Sequence, residues 1–453
     1  MKKHYQAILL LTVLFPLYAL AQPDTLTRDQ LRAALRENPA LAGNNSYVPP
    51  FGPYVTSPAP KGYKPVYISH YGRHGARYIT SASKYDLVWN LLENGSRKEA
   101  LTPAGEDLYR RYSALYPLLQ GHEGDLTATG QWQHRQLARR MVDAYPGVFG
   151  KKVKVDARAT ISPRAIISMM SFCDELRKLR PGMELSCRAD HTDLYYTALA
   201  SATSQSEAEK AWKKFFVNPA LGKALYTSEA MTALNPEAFF LRYFKDMAPV
   251  EECGSPLELM SALGEIACNL QCLDTEESLD DIFTEEERFR IWEHSNLWAA
   301  LMFTDNPYTG GIISARAYTL LEDIIGKAGS DLASGEYQVR LRFGHDTVVA
   351  PLMALLGIEG WEALPEDIDR WKYRFQGWNI PMASNFQLIF YRGKKGDILV
   401  KAMYNEKDQV LPLEDQSLAP YYRWEDFRDH YTRVCRDAAD FTEAFISKSI
   451  KQQ

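Results

Sequence analysis

Beyond its first 21 residues the sequence has no apolar run long enough to cross a bilayer, which excludes a membrane-spanning helix from the rest of the chain. Cysteine is sparse: six residues in 453, with spacings unlike those of a disulfide-dense scaffold, exclude a small stapled fold. The stretch "CNLQC" has no second pair at matching spacing, so nothing supports a zinc site. Positive charge is in deficit, with 52 Lys and Arg against 57 Asp and Glu, which argues against a nucleic-acid partner. Low-complexity tracts are missing as well. A hydrophobic fraction of 46% and a charged fraction of 24% are those of an ordinary globular protein with room for a large core. Neither a metal nor a cofactor is expected.

The N-terminus reads MKKHYQAILLLTVLFPLYALAQ: two lysines, an apolar run broken by Pro16, then Ala19-Leu20-Ala21. This is the pattern of a secretory signal over residues 1–21, cleaved near Ala21, and it predicts an exported protein, periplasmic or secreted. No cysteine follows the cleavage site to carry a lipid anchor. In an exporting context Cys253, Cys268 and Cys272 are the expected source of a disulfide, whereas Cys173 reads as a small core residue on an apolar helix face.

Three places repeat one design, an apolar strand followed by a tight polar turn and a helix. The first is "PVYIS", "HYGRHGARY" and "SASKYDLVWNLLENG"; the second is "KVKVDARATIS", Pro163-Arg164 and "AIISMMSFCDELRKLRPG"; the third is "YQVRLRF", "GHD" and "TVVAPLMALLG". Between the first two lie helical segments opening at Thr102 and Thr127, each placed to cap a first turn. From residue 190 to 304 the pattern turns helical without strands. The organisation predicted is an α/β domain, mostly parallel in its sheet, over residues 22–189 and 305–453, with an all-helical cap inserted over residues 190–304. Late strands "ASNFQLIFYR" and "DILVKAMYN" read as a hairpin across Gly-Lys-Lys-Gly.

In open α/β sheets ligands bind at the carboxyl ends of the strands, where successive turns converge. Here those turns carry Arg73, His74 and Arg77, then Arg164, then His345 and Asp346. Three guanidiniums offer planar forks of donors to phosphate oxygens. His74 is the better placed nucleophile, with Gly75 beside it expected to let a phosphate approach the backbone. Asp346 is the only acid in the three turns and the expected proton donor, although a helix N-terminus favours its ionised form. Positioning and electrostatics suffice for phosphoryl transfer, so the set predicts a phosphomonoesterase with an acidic optimum.

Arg73-His74-Gly75-Ala76-Arg77 resembles the signature of the histidine acid phosphatases, the RHGxR branch of the histidine phosphatase superfamily. Chance composition supplies that pattern in on the order of one chain per thousand of this length. "LTATGQWQHRQLARRM", "ATISPRAIISMMSF" and "FGHDTVVAPLMALLG" are similar to further segments of that family, in the same order. The resemblance implies an α/β sandwich with a helical cap, a phosphohistidine formed on His74, phosphate held by Arg73, Arg77, Arg164 and His345, and a proton from Asp346. Within the family, "RHGARY", "RAIISMMSF" and "MASNFQLIFYR" resemble the multiple inositol polyphosphate phosphatases, which act on phytate. That branch usually has His-Ala-Glu where this chain has His345-Asp346, so the ring position attacked is not inherited.

Plainer readings apply elsewhere. His70 is expected to be structural, bonding within the turn, and His134 to be solvated or structural on a charged helix; Tyr78 is expected to pack. Lys61 and Lys64, and Lys210, Lys213 and Lys214, are candidates for a wall facing a polyphosphorylated ring. The alternatives are an acid phosphatase of broad or sugar-phosphate specificity and, from another class, a phospho-ligand binding protein without turnover.

Overall fold

In the computed structural model the strand β1, Lys64–Arg73, runs up the middle of an eight-stranded sheet. The structure describes residues 25–199, apart from 53, 55 and 151, and residues 219–451. The leader and the segment carrying Lys210, Lys213 and Lys214 lie outside the described residues. The remaining strands are β2 Lys154–Ala159, β3 Glu184–Ala189, β4 Val339–Gly344, β5 Asn385–Arg392, β6 Ile398–Tyr404, β7 Lys407–Gln409 and β8 Tyr421–Arg423. Their order is β3-β2-β4-β1-β5-β6-β7, with β8 paired to β6.

The expected α/β class holds, but the sheet divides into two halves. Strands β3, β2, β4 and β1 pair in parallel, while β1 with β5, and everything beyond, is antiparallel. The sheet is therefore mixed. β5 already runs antiparallel to β1, and the short turn at Gly393–Asp397 returns the chain antiparallel again as β6. Strand β3 was not foreseen: its residues alternate between exposed and half-buried at a sheet edge, which leaves a weak apolar signal.

Side chains alternate along each strand and feed two apolar layers. Tyr67, Tyr71, Phe386, Leu388 and Val400 join one layer with the helices Tyr318–Ser334, Asp346–Leu355 and Trp424–Lys451. Ile68, Val155, Leu341, Ile389 and Met403 join the other with the helices Ala128–Ala144 and Pro163–Leu179. A third cluster unites the helices Ala82–Arg97 and Pro103–Leu119 with residues 239–291, among them Phe239, Leu259 and Ile266. Helical segments near 219–232 and 297–303 pack instead into the first layer.

Both predicted caps are present: Thr102 Oγ1 accepts from the Gly105 amide and Thr127 Oγ1 from the Gly130 amide, each at 3.1 Å. The helix expected to stop at Asn94-Gly95 runs on to Arg97. All six cysteines are free thiols, so the expected bridge among Cys253, Cys268 and Cys272 is absent. Two of them face separate backbone acceptors, Asn90 O for Cys253 and Ser46 O for Cys272.

Candidate active site

The carboxyl ends of β1, β4 and β2 lie side by side. Arg73 registers with Gly344, and Ala159 with Phe343. One residue beyond each pairing, the His74 amide donates to Gly344 O at 2.9 Å and the Thr160 amide to Phe343 O at 3.0 Å. The three turns read from the sequence are thereby joined by backbone. The antiparallel strand β5 begins at the same edge, where Ser384 O accepts the Arg73 amide at 2.8 Å.

His74 is buried, with 2% of its surface exposed, and its Nδ1 lies 2.9 Å from Gly75 O. A neutral ring donating from Nδ1 to that carbonyl leaves Nε2 as the nitrogen able to attack. Burial first, then the positive charges of Arg73, Arg77 and Arg164 and the neighbouring His345, hold His74 well below its ordinary pKa. The two imidazoles stand 5.5 Å apart between ring centres. His345 is brought down to about 4, by burial and then by Arg164, and its Nε2 lies 3.1 Å from Thr160 Oγ1.

Arg73 is fully buried. Its Nη1 donates to Ile380 O at 2.7 Å and to Asn45 O, while Nη2 stands 2.7 Å from Asp346 Oδ2. Arg77 is turned by a bond from Nη1 to Tyr78 O at 2.8 Å, and Arg164 occupies the second position of its helix. Burial lowers the pKa of Arg73 and of Arg164, and each is lowered further by Arg77. Burial works to raise the Asp346 carboxyl, but Arg73, Arg77, His345 and the Thr347 amide carry it below its ordinary value. Three guanidiniums thus face one carboxylate and leave an excess of about two positive charges, the complement of a phosphate dianion. The Nε donors of Arg73, Arg77 and Arg164 are buried without a protein partner among the described residues, as donors awaiting an anion would be.

All six residues singled out from the sequence are brought to this one edge. Several local readings change. Asp346 is the first residue of its helix, and His345 is the N-cap. Gly75 is small for another reason than expected: a Cβ there would lie 2.5 Å from Gly130 O, and one on Gly130 would lie 2.3 Å from Ala76 O. The two glycines let the turn rest on the start of the helix Ala128–Ala144. His70 lies within β1, not in the turn, and its ring packs against Phe172 and Phe343. His134 is not solvated but wholly buried, edge-on to Phe343. Tyr78 does pack, stacking on His122. Lys64 opens β1 and Lys61 precedes it, so both stand about 30 Å along the strand from His74 and cannot line the pocket.

The residues that pin the turn were missed. Ser168 Oγ accepts from the Gly75 amide at 3.1 Å and Gln133 Oε1 from the Ala76 amide at 2.8 Å. Ser168 stands one helical turn beyond Arg164, a spacing that could have flagged it. Asn45, whose Nδ2 donates to Asp346 Oδ2 at 3.0 Å, sits in "LAGNNS" with no sequence signal at all.

The whole is a mixed sheet between helical layers, with an arginine and histidine cluster at the carboxyl ends of its parallel strands. No protein-family model matches the chain. It is 24% identical over 410 residues to human multiple inositol polyphosphate phosphatase 1, an alignment covering 83% of this chain and 81% of that protein. The multiple inositol polyphosphate phosphatase of Bifidobacterium longum superposes in its apo form with a TM-score of 0.69 at 16% identity, over 85% of this chain and 96% of that one. Its complex with inositol hexasulfate gives 0.68 at the same identity and coverage. The phytase of D. castellii gives 0.62 at 16% identity, over 92% and 88%. The resemblance read from the motifs therefore holds in sequence and in fold: the chain is a homologue of a multiple inositol polyphosphate phosphatase and has the fold of the histidine acid phosphatases.

Proposed function

We propose that the protein is an exported phosphoric monoester hydrolase that works through a phosphohistidine and takes inositol polyphosphates, phytate among them, as substrates. The observation that carries the reading is His74 itself: one ring nitrogen is within bonding distance of its own turn, and the charges of Arg73, Arg77 and Arg164 bear on the ring. Nε2 attacks phosphorus, the ester P–O bond breaks, and Asp346 gives its proton to the departing alcohol oxygen. Water then attacks the phosphohistidine, Asp346 takes a proton back from it, and phosphate leaves. The arginines stabilise the charge on the equatorial oxygens at both steps. The relatives' names supply the inositol polyphosphate, and the positive excess of the pocket suits any phosphomonoester dianion. The leader over residues 1–21 supports export.

A binding protein without turnover would need no nucleophile held in one tautomer and no acid beside it. The test is kcat/KM for phytate, glucose 1-phosphate and p-nitrophenyl phosphate at pH 4 to 7, without added metal. Phytate is expected to be the best of the three. If it is the poorest, the inositol reading fails and a broad acid phosphatase remains; if phosphate is bound but never released from any ester, the binding protein is correct. A His74→Ala variant should fold, lose turnover by at least ~10⁴-fold and trap no phosphoenzyme.

A further inference from the structure

The Asp346 carboxylate is held from three sides. Oδ2 faces Arg73 Nη2 at 2.7 Å and Asn45 Nδ2 at 3.0 Å, and Oδ1 takes the Thr347 amide at 2.9 Å. Arg73 ends β1 and Thr347 stands in the first turn of the helix after β4, so both belong to the units that build the site. Asn45 does not: it arrives on the 3₁₀ segment Pro39–Ser46, near the chain's other end. That segment is firmly seated. Tyr47 O accepts the Met382 amide at 2.9 Å, Ser46 O accepts from Cys272 Sγ at 3.4 Å, and the Val48 amide reaches Gln271 Oε1 at 2.9 Å. The preceding residue, Asn44, has a φ of +53° and presses its side chain where a Cβ on Gly377 would lie 2.2 Å away. Asn45 O in turn accepts from Arg73 Nη1, so Asn45 touches both members of the Arg73–Asp346 ion pair.

An acid catalyst must carry its proton on a defined oxygen. An oxygen that accepts the Asn45 amide and lies 2.7 Å from the Arg73 charge is the poorer place for a proton, whereas one that accepts a single backbone amide retains that capacity. We propose that Asn45 is a positioning residue for the proton donor, fixing the Asp346 carboxyl so that Oδ1 carries the proton delivered to the leaving oxygen. The assignment rests on Asp346 being the acid of the proposed reaction. The other charged and titratable groups facing Asp346 are Arg73 and Tyr71 of β1, Arg77 of the turn after it, Arg164 of the helix after β2, and His345 beside it. Asn45 adds a neutral donor to that set. Its removal frees the carboxyl to rotate and withdraws a bond that favours the ionised form.

The test compares kcat/KM on two substrates, an alkyl monoester such as glycerol 2-phosphate and 2,4-dinitrophenyl phosphate, whose leaving group needs little help from an acid. Asn45→Ala should slow the alkyl ester by about 10-fold and the dinitrophenyl ester by less than about 2-fold. It should also move the alkaline limb of the alkyl profile to higher pH. Asp346→Asn should slow the alkyl ester further, and the double variant no further than Asp346→Asn alone. Asn45→Leu, which keeps the volume and removes the amide, should repeat the pattern if the alanine variant folds poorly; turnover of the dinitrophenyl ester reports a folded site in each. Equal losses on both substrates, no loss on the alkyl ester, or additive effects in the double variant would overturn the assignment to Asn45 alone. If Asp346→Asn itself shows no leaving-group dependence, the acid role of Asp346 falls, and this inference with it.

Discussion

A single methyl group on Gly75 would stand 2.5 Å from the Gly130 carbonyl oxygen, closer than any real contact, and both partners are backbone. The turn that carries His74 would have to lift off the helix beneath it. Gly75→Ala is expected to cost about 1–3 kcal/mol of stability and at least ~10-fold in kcat/KM, read by thermal melting and p-nitrophenyl phosphate turnover. An unchanged melting temperature would show that the turn can shift at no cost. The titration of His74, the proposed nucleophile, carries a second expectation. Burial and three arginines depress the pKa of His74, so the neutral, attacking form persists as pH falls through the usual histidine range. The pH profile of kcat/KM for an aryl phosphate should show no histidine limb near 6.5, and Arg164→Gln, which removes one depressing charge, should move the His74 limb to higher pH; the opposite outcome is a limb near 6.5 in the unsubstituted protein. Such a limb would mean that His74 is not held neutral.

Among the elements, the helices Pro103–Leu119 and Ala128–Ala144 open with the same chemistry and serve different ends. Thr102 caps its helix and also donates to Arg242 O at 2.6 Å, a contact within the helical cluster. Thr127 caps its helix and donates to Ala76 O at 3.0 Å, inside the turn that bears His74. Each Thr→Ala change should cost about 1–2 kcal/mol, the ordinary value of an N-cap. Only Thr127→Ala should also lower kcat/KM, by several fold, because it releases the turn. Equal activity in the two variants would show that the helix start does not hold the site. Both caps were legible in the sequence as a threonine before a helical pattern. Their second bonds were not, since nothing local specifies which carbonyl lies opposite a hydroxyl.

At the scale of the whole molecule, the interior beneath the site is built on neutral histidines. His70 and His134 are buried against Phe343, and burial brings each down to about 3. A folded pKa below the unfolded value means that the unfolded chain binds more protons, so stability is full above about 6.5 and is lost as pH falls below it. At pH 5 each histidine should cost about 2 kcal/mol relative to pH 7. An acidic optimum, as expected from the sequence, would place turnover where this part of the stability is already being lost. Melting temperatures should fall from pH 7 to pH 5, and His134→Phe should reduce that slope if the ring is accommodated. A melting temperature that does not change between those values would show that these rings keep access to protons when folded.

The three strand-to-turn-to-helix units were readable from the chain, as was the gathering of His74, Arg73, Arg77, Arg164, His345 and Asp346 at their ends, because each unit is specified by residues within a few positions of one another. Periodicity of apolar residues marks the strands, and tight turns force basic groups to their ends. What the sequence left open is everything that depends on distant segments meeting. The weakly apolar edge strand β3 emerged only through pairing with β2. Gly75 proved necessary because Gly130 lies under it, and His134 is buried because its helix presses that face onto Phe343. Asn45 entered the site because the segment Pro39–Ser46 is seated against Gln271, Cys272 and Met382, more than 200 residues away. Local patterns encode which groups the chain carries; only the packing of remote backbone decides which of them meet, as Asn45 meets Asp346.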